Sequence, residues 1–167
     1  MSAATPFVIS HAFHAPRALL YQAHVDADHL ANWLTPDGFT NVHGAMDCTV
    51  GGSYHYGWEG PAGMQMWGRQ VYREIVPNEK LVFLQSFSDA DGNVTRHPMV
   101  ATWPLEVLAT VIFEETEPGR SRVTVSWQPY HSDDAGTTSF ELGRMGMEFG
   151  FNAAFAKLDA YLAQVQT

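Results

Sequence analysis

The stretch SFELGRMGMEFGFNAAFAKLDAYLAQV, Ser139 to Val165, decides how the rest of the chain is read. It contains no proline, and Met147, Phe151, Phe155, Leu158 and Leu162 recur at spacings of three or four, the period of one helical face. The pattern predicts one long amphipathic helix. Gly143, Gly146 and Gly150 lie inside it, and each weakens a helix by roughly 1 kcal/mol relative to alanine. Some compensation is expected: close approach to a sheet, a helix start nearer Met145, or space at the mouth of a cavity.

What precedes the helix alternates with period two almost throughout. FVISHAFHAP, from Phe7, reads as a first strand. PRALLYQAHVDADHLANWLT follows as two short helices, Pro16 suiting the first turn of one and Asp26 capping the other, with Leu30, Trp33 and Leu34 turned inward. Strand-like runs then cover residues 39–50, 53–60, 64–76 and 80–88, separated by the turn signals VGGS, GPAG and VPNEK. After the looser SDADGNVTRHP come LEVLATVIFEET and RVTVSWQPYH, joined by EPGRS. The order of strand, two helices, six strands and long helix contains no repeated βαβ unit. It predicts an α+β architecture in one domain, residues 1–167, with a curved antiparallel sheet wrapped on the last helix.

Composition narrows the function. At 167 residues the chain can bury a core of its own, and its single cysteine, Cys48, excludes a disulfide within the chain. Nine basic against eighteen acidic residues give a net charge of −9 without a basic cluster, which disfavours nucleic acid and anionic membranes. No apolar run reaches the roughly 20 residues needed to span a bilayer, and the start MSAATPFVISHAF has no signal-like pattern. The expectation is a cytoplasmic protein that inserts into no membrane.

The candidate site begins with VGGSYHYGWEGP, Val50 to Pro61, where Tyr54, Tyr56 and Trp58 share one strand face. Gly51 and Gly52 suit a turn or bulge that bends the sheet, so the aromatic row either fills a core or walls a cavity. Phe83, Val111, Phe113, Val123, Val125 and Trp127 alternate in the same manner on later strands, and Met64 and Met66 add adaptable surface near the hairpin entrance. Such a lining suits a small apolar or aromatic ligand.

Other chemistries find little support. His11 and His14, three apart on a strand, point to opposite faces, so no metal spacing is met; His55, His97 and His131 read as surface or rim residues. No nucleophile elbow, phosphate loop or dinucleotide fingerprint occurs, and no cofactor is expected. Cys48 reads as a small residue in mid-strand, and Asp47 and Glu74 as strand carboxylates whose facing is undecided.

In FHAPRALLYQAHVDADHLANWLTPDGFT, MDCTVGGSYHYGW, GRQVYREIVPNEKLVFLQSF, TVIFEET and GFNAAFAKLDAYL, taken in order, the chain resembles the SRPBCC or START-like superfamily. Within it the resemblance is to homologues of the activator of heat-shock protein 90 ATPase. It implies a helix-grip fold, a strongly bent seven-stranded sheet gripping the C-terminal helix around a deep cavity. Two departures stand out: Trp33 is followed by Leu34 where relatives often pair tryptophans, and Gly150-Phe151 replaces a common Gly-Trp.

Residues and resemblance together lead first to a ligand-binding protein whose cavity is lined by Trp33, Tyr54, Tyr56, Trp58, Met66, Phe83, Val111, Phe113, Trp127, Met147 and Phe151. Two alternatives stand beside it. One is a cyclase or hydrolase using Asp47 or Glu74 with His55 or Tyr54; the other is a cochaperone that stimulates a heat-shock ATPase. A homodimer and a chaperone partner are left open.

Overall fold

The computed structural model describes residues 4–167, so residues 1–3 of the expected domain lie outside it. In chain order the elements are β1 (Phe7–Phe13), α1 (Arg17–Gln22), α2 (Ala27–Trp33), β2 (Thr40–Met46), β3 (Ser53–Glu59), a short 3-10 turn (Pro61–Gly63), β4 (Gln65–Val76), β5 (Lys80–Ser88), β6 (Val94–Thr95), β7 (Glu106–Glu117), β8 (Arg120–Tyr130), α3 (Asp134–Leu142) and α4 (Arg144–Val165). The strands form one antiparallel sheet in the order β1-β8-β7-β5-β4-β3-β2, and the two-residue β6 adds to β5. This is the α+β architecture expected from the element order and the helix-grip fold that the resemblance implies, with an eighth, minimal strand inside SDADGNVTRHP. Among the described residues no helix is long and apolar enough to cross a membrane.

Local chemistry places the ends of the elements. Asp26 caps α2, its carboxylate accepting from the backbone N–H groups of Asp28 and His29, as its position before the helix predicts. The β2–β3 connection turns at Gly51, where φ is +87°, and a Cβ at Gly52 would lie 2.2 Å from the Asp47 carbonyl oxygen. That close approach explains the paired glycines. It also ends β2 at Met46, so Asp47 and Cys48 lie in the connection and not in mid-strand as expected.

The closing segment differs from its reading as one helix. Asp133 caps a separate α3 by accepting from Gly136 N–H at 2.7 Å, and Gly143 forms the junction to α4. A side chain at Gly143 would meet the Trp103 ring at 2.8 Å, whereas Gly146 and Gly150 have nothing within 4 Å. Gly143 therefore serves close packing, and the other two face open space.

Helix α4 lies over one end of the sheet. Phe151 stacks on Phe7 at 5.9 Å and meets Trp127 edge-on at 5.0 Å, while Phe155 packs on His11 and Phe13. Polar contacts fix its far side: His11 Nε2 lies 2.8 Å from Asp159, and Lys157 donates to the Thr35 carbonyl just past α2. Met147, Phe155, Leu158 and Leu162 are buried as the helical period predicts. Its outer face carries Met145 and Phe149, each, like Leu142 at the end of α3, about four-fifths exposed.

These contacts yield a paired stability test. Gly150→Ala should raise stability by about 1 kcal/mol, because a solvent-facing helical site gains propensity without a clash. Gly52→Ala should lower it by about 1–3 kcal/mol, because the new methyl meets a backbone oxygen. Urea denaturation of the two variants against the parent measures both signs.

Candidate functional site

In an antiparallel pair, directly opposed residues share a face of the sheet, so the register builds the site. Tyr54 opposes Gln70, Tyr56 opposes Gly68, and Trp58 opposes Met66. Across the next ladder Gln70 opposes Gln85 and Tyr72 opposes Phe83. Phe83 then opposes Ala109, Leu81 opposes Val111, and beyond them Ala109, Val111 and Phe113 oppose Trp127, Val125 and Val123. The alternating residues read from separate strands thus lie on a single inner face.

The face is packed. Tyr54 stacks on Tyr56 at 5.0 Å and Tyr56 meets Trp58 at 4.9 Å, the row passing from wholly buried Tyr54 to half-buried Trp58. Gly68 matters here, since a Cβ would lie 2.3 Å from the Tyr56 hydroxyl oxygen. The bare backbone lets the Tyr56 ring lie across β4. Trp33, Tyr54, Tyr56, Phe83, Val111 and Phe113 belong to the main core, against which Trp58, Trp127 and Phe151 pack half-buried. Met147 joins a second cluster with Phe7, Val107 and Phe140, and Met66 is half-buried opposite Trp58. Trp33 is anchored by its indole N–H, which donates to the Ala23 carbonyl at 2.9 Å.

Two clefts reach this body from outside. One, of about 550 Å³, lies at the β4–β5 turn and includes Arg17, Glu79, Ile112 and Phe113. The other, of about 250 Å³, is bounded by Val25, Asp26, Ala27, Asp28, Met46 and Cys48. Neither runs along the Tyr54-Tyr56-Trp58 row.

A polar stripe crosses the inner face that period-two reading for apolar residues did not single out. Gln70 Nε2–H donates to Gln85 Oε1 at 3.1 Å, and Gln85 Nε2–H donates to the Tyr56 hydroxyl at 2.8 Å. Tyr54 and Tyr72 are 0% and 1% exposed, yet neither hydroxyl has a hydrogen-bond partner among the described residues; Asn41 Nδ2 is the third such buried atom. Cys48 lies beside the Tyr72 hydroxyl without a hydrogen bond of good geometry. Burial pushes Tyr54 and Tyr72 well above the ordinary phenol range, the neighbouring Cys48, Tyr54 and Tyr21 adding to the shift at Tyr72. Both phenols are therefore neutral donors at physiological pH.

The groups considered for acid–base work do not meet. A register shift between Tyr72 and Glu74 breaks the alternation, so Tyr72 turns inward while exposed Glu74 pairs with Lys80 at 3.2 Å. Asp47 is exposed and accepts from the Thr49 hydroxyl. His55 lies on the outer face, stacked on Trp67 at 5.3 Å, its Nε2–H donating to the Asp89 carbonyl. Among the described residues no three His, Cys, Asp or Glu side chains group as metal ligands.

Fold and inner face together define a helix-grip domain of the START-like class. A sequence profile described as Activator of Hsp90 ATPase homolog 1-like protein matches residues 14–163, and the chain belongs to that family. Comparison with curated proteins gives no match. Among solved structures, a protein from Arthrobacter aurescens is 27% identical, with a TM-score of 0.76 over 96% of this chain and 87% of that one. Protein Ms6760 from Mycobacterium smegmatis is 24% identical, with a TM-score of 0.74 over 94% and 90% of the two chains. The AHSA1 protein from Silicibacter pomeroyi is 17% identical, with a TM-score of 0.69 over 96% and 99%.

One half-buried base beside the site gives a pH test. His24, enclosed by Trp33 and Phe113 at 4.9 Å each, donates through Nδ1–H to the Leu20 carbonyl. Burial lowers its pKa to about 4, partly offset by that hydrogen bond. The unfolded chain takes up the proton near the ordinary 6.5 and the folded chain only near 4, so stability is full above that window and is lost as pH falls through it. Denaturation at pH 7 and pH 4 should show His24→Gln losing less stability than the parent, by on the order of 2–3 kcal/mol.

Proposed function

We propose that the protein binds a small apolar or aromatic molecule between the inner face of the sheet and the helices that cover it. The observation behind this reading is the register itself, which gathers Tyr54, Tyr56, Trp58, Met66, Phe83, Val111, Phe113 and Trp127 onto one face. An interior built from aromatic rings and a few polar groups suits such a ligand. Trp33, Met147 and Phe151, from the covering helices, complete the proposed lining. Because the row is packed, binding requires side chains to turn aside, and the half-buried Trp58, Met66, Trp127 and Phe151 are less confined than the rest of the set. A thermal-shift panel of neutral aromatic ketones, phenols, flavonoids and fatty acids tests this. A binder present at 100 times its Kd should raise Tm by about 5–10 °C. A panel without any shift contradicts the reading.

A second reading, docking on a heat-shock ATPase, has one observation in its favour besides the family's name. Leu142 at the end of α3 and Met145 and Phe149 at the start of α4 expose large apolar side chains, the kind of patch that marks a protein contact. In an ATPase assay with purified heat-shock protein 90, this reading expects stimulation that Phe149→Ser reduces severalfold. Equal rates with and without the protein contradict it.

A further inference from the structure

A buried hydroxyl without a partner is destabilising, and a pair of them at one place points to a missing acceptor. Tyr54 and Tyr72 form such a pair. They sit on adjacent strands, offset diagonally on the inner face, Tyr54 opposing Gln70 and Tyr72 lying two residues further along β4. Cys48 connects this pair to the outside, since it borders the cleft of about 250 Å³ and also lies beside the Tyr72 hydroxyl. The half-buried Cys48 thus stands between the cleft and the place where the two donors are unmet.

The chemistry selects the guest. Two O–H donors call for an oxygen with two lone pairs and no proton of its own to place, which describes a carbonyl better than an alcohol. A carboxylate is disfavoured: the charged side chains at the cleft are Asp26 and Asp28, and a buried anion without a cation is costly. Size excludes long acyl chains, since about 250 Å³ lies below the roughly 300–1,000 Å³ of sites for drug-sized ligands.

Resting on the ligand-binding reading above, we infer that the cleft between the α1–α2 turn and the β2–β3 connection admits a small uncharged aromatic ketone or aldehyde, whose carbonyl oxygen accepts from Tyr54 and Tyr72. Cys48 is the gate residue, displaced sideways as the ring passes.

The test compares 2-acetylnaphthalene with its carbon isostere 2-isopropenylnaphthalene, by titration calorimetry, on the parent chain and on the Tyr54→Phe/Tyr72→Phe double variant. The expected result is a ketone preference of about tenfold in the parent and equal affinities in the variant. Equal affinities in the parent overturn the anchor and leave the ligand-binding reading standing; a parent that binds neither probe overturns the inference, and the thermal-shift panel then decides the wider reading. A second measurement needs no variant. Cys48 is the single cysteine, so its alkylation by N-ethylmaleimide can be followed by mass alone. Bound ketone should slow it severalfold; an unchanged rate with ketone bound places the ligand elsewhere and overturns the proposal.

Discussion

One helix is too narrow to cover an eight-stranded sheet, and the interior of this protein follows from that shortfall. Helix α4 is drawn to one edge, where Phe151 and Phe155 meet Phe7, His11, Phe13 and Trp127 and where Lys157 ties the helix to the end of α2. Over β3, β4 and β5 the space must be filled by side chains long enough to reach across it. Tyrosine and tryptophan are long enough, and the row on β3 supplies them. Phenylalanine would have met the same spatial need without a hydroxyl. The choice of tyrosine at residues 54, 56 and 72 therefore carries information about polarity as well as volume.

The three tyrosines are not equivalent. Tyr56 lies flat across Gly68 and receives a hydrogen bond from Gln85, which is itself held by Gln70, so this part of the stripe has a partner for each hydroxyl oxygen. Tyr54 and Tyr72 have none. Buried polar networks that are fully satisfied rigidify a core, and those left open are destabilising until something completes them. The interior thus divides into a structural half around Gln70 and Gln85 and an unfinished half behind Cys48. Family membership by itself would not separate the two, since one fold serves many functions.

Much of this was legible in the sequence because strands with one buried face obey period two strictly. Phe83, Val111, Phe113 and Trp127 could be assigned to one interior before any ladder was known, and the helical period of Met147, Phe155, Leu158 and Leu162 was equally direct. What escaped had no residue signature. The bulge after Tyr72 separates two residues that simple alternation puts together, and no Gly or Pro marks it. The end of β2 at Met46 is set by the approach of Gly52 to Asp47, a contact between residues in the turn that moves Cys48 from a strand to a cleft wall. The break at Gly143 depends on Trp103, some 40 residues earlier. The inward glutamines on β4 and β5 carry no apolar signal, so the alternation of apolar residues does not mark them.

The most direct measurement is a crystal structure of the protein grown with 2-acetylnaphthalene. The account predicts the naphthyl ring against the inner face and its carbonyl oxygen within hydrogen-bonding distance of the Tyr54 and Tyr72 hydroxyls. A ligand seated only on the outer surface, with the two hydroxyls unchanged behind Cys48, would contradict it.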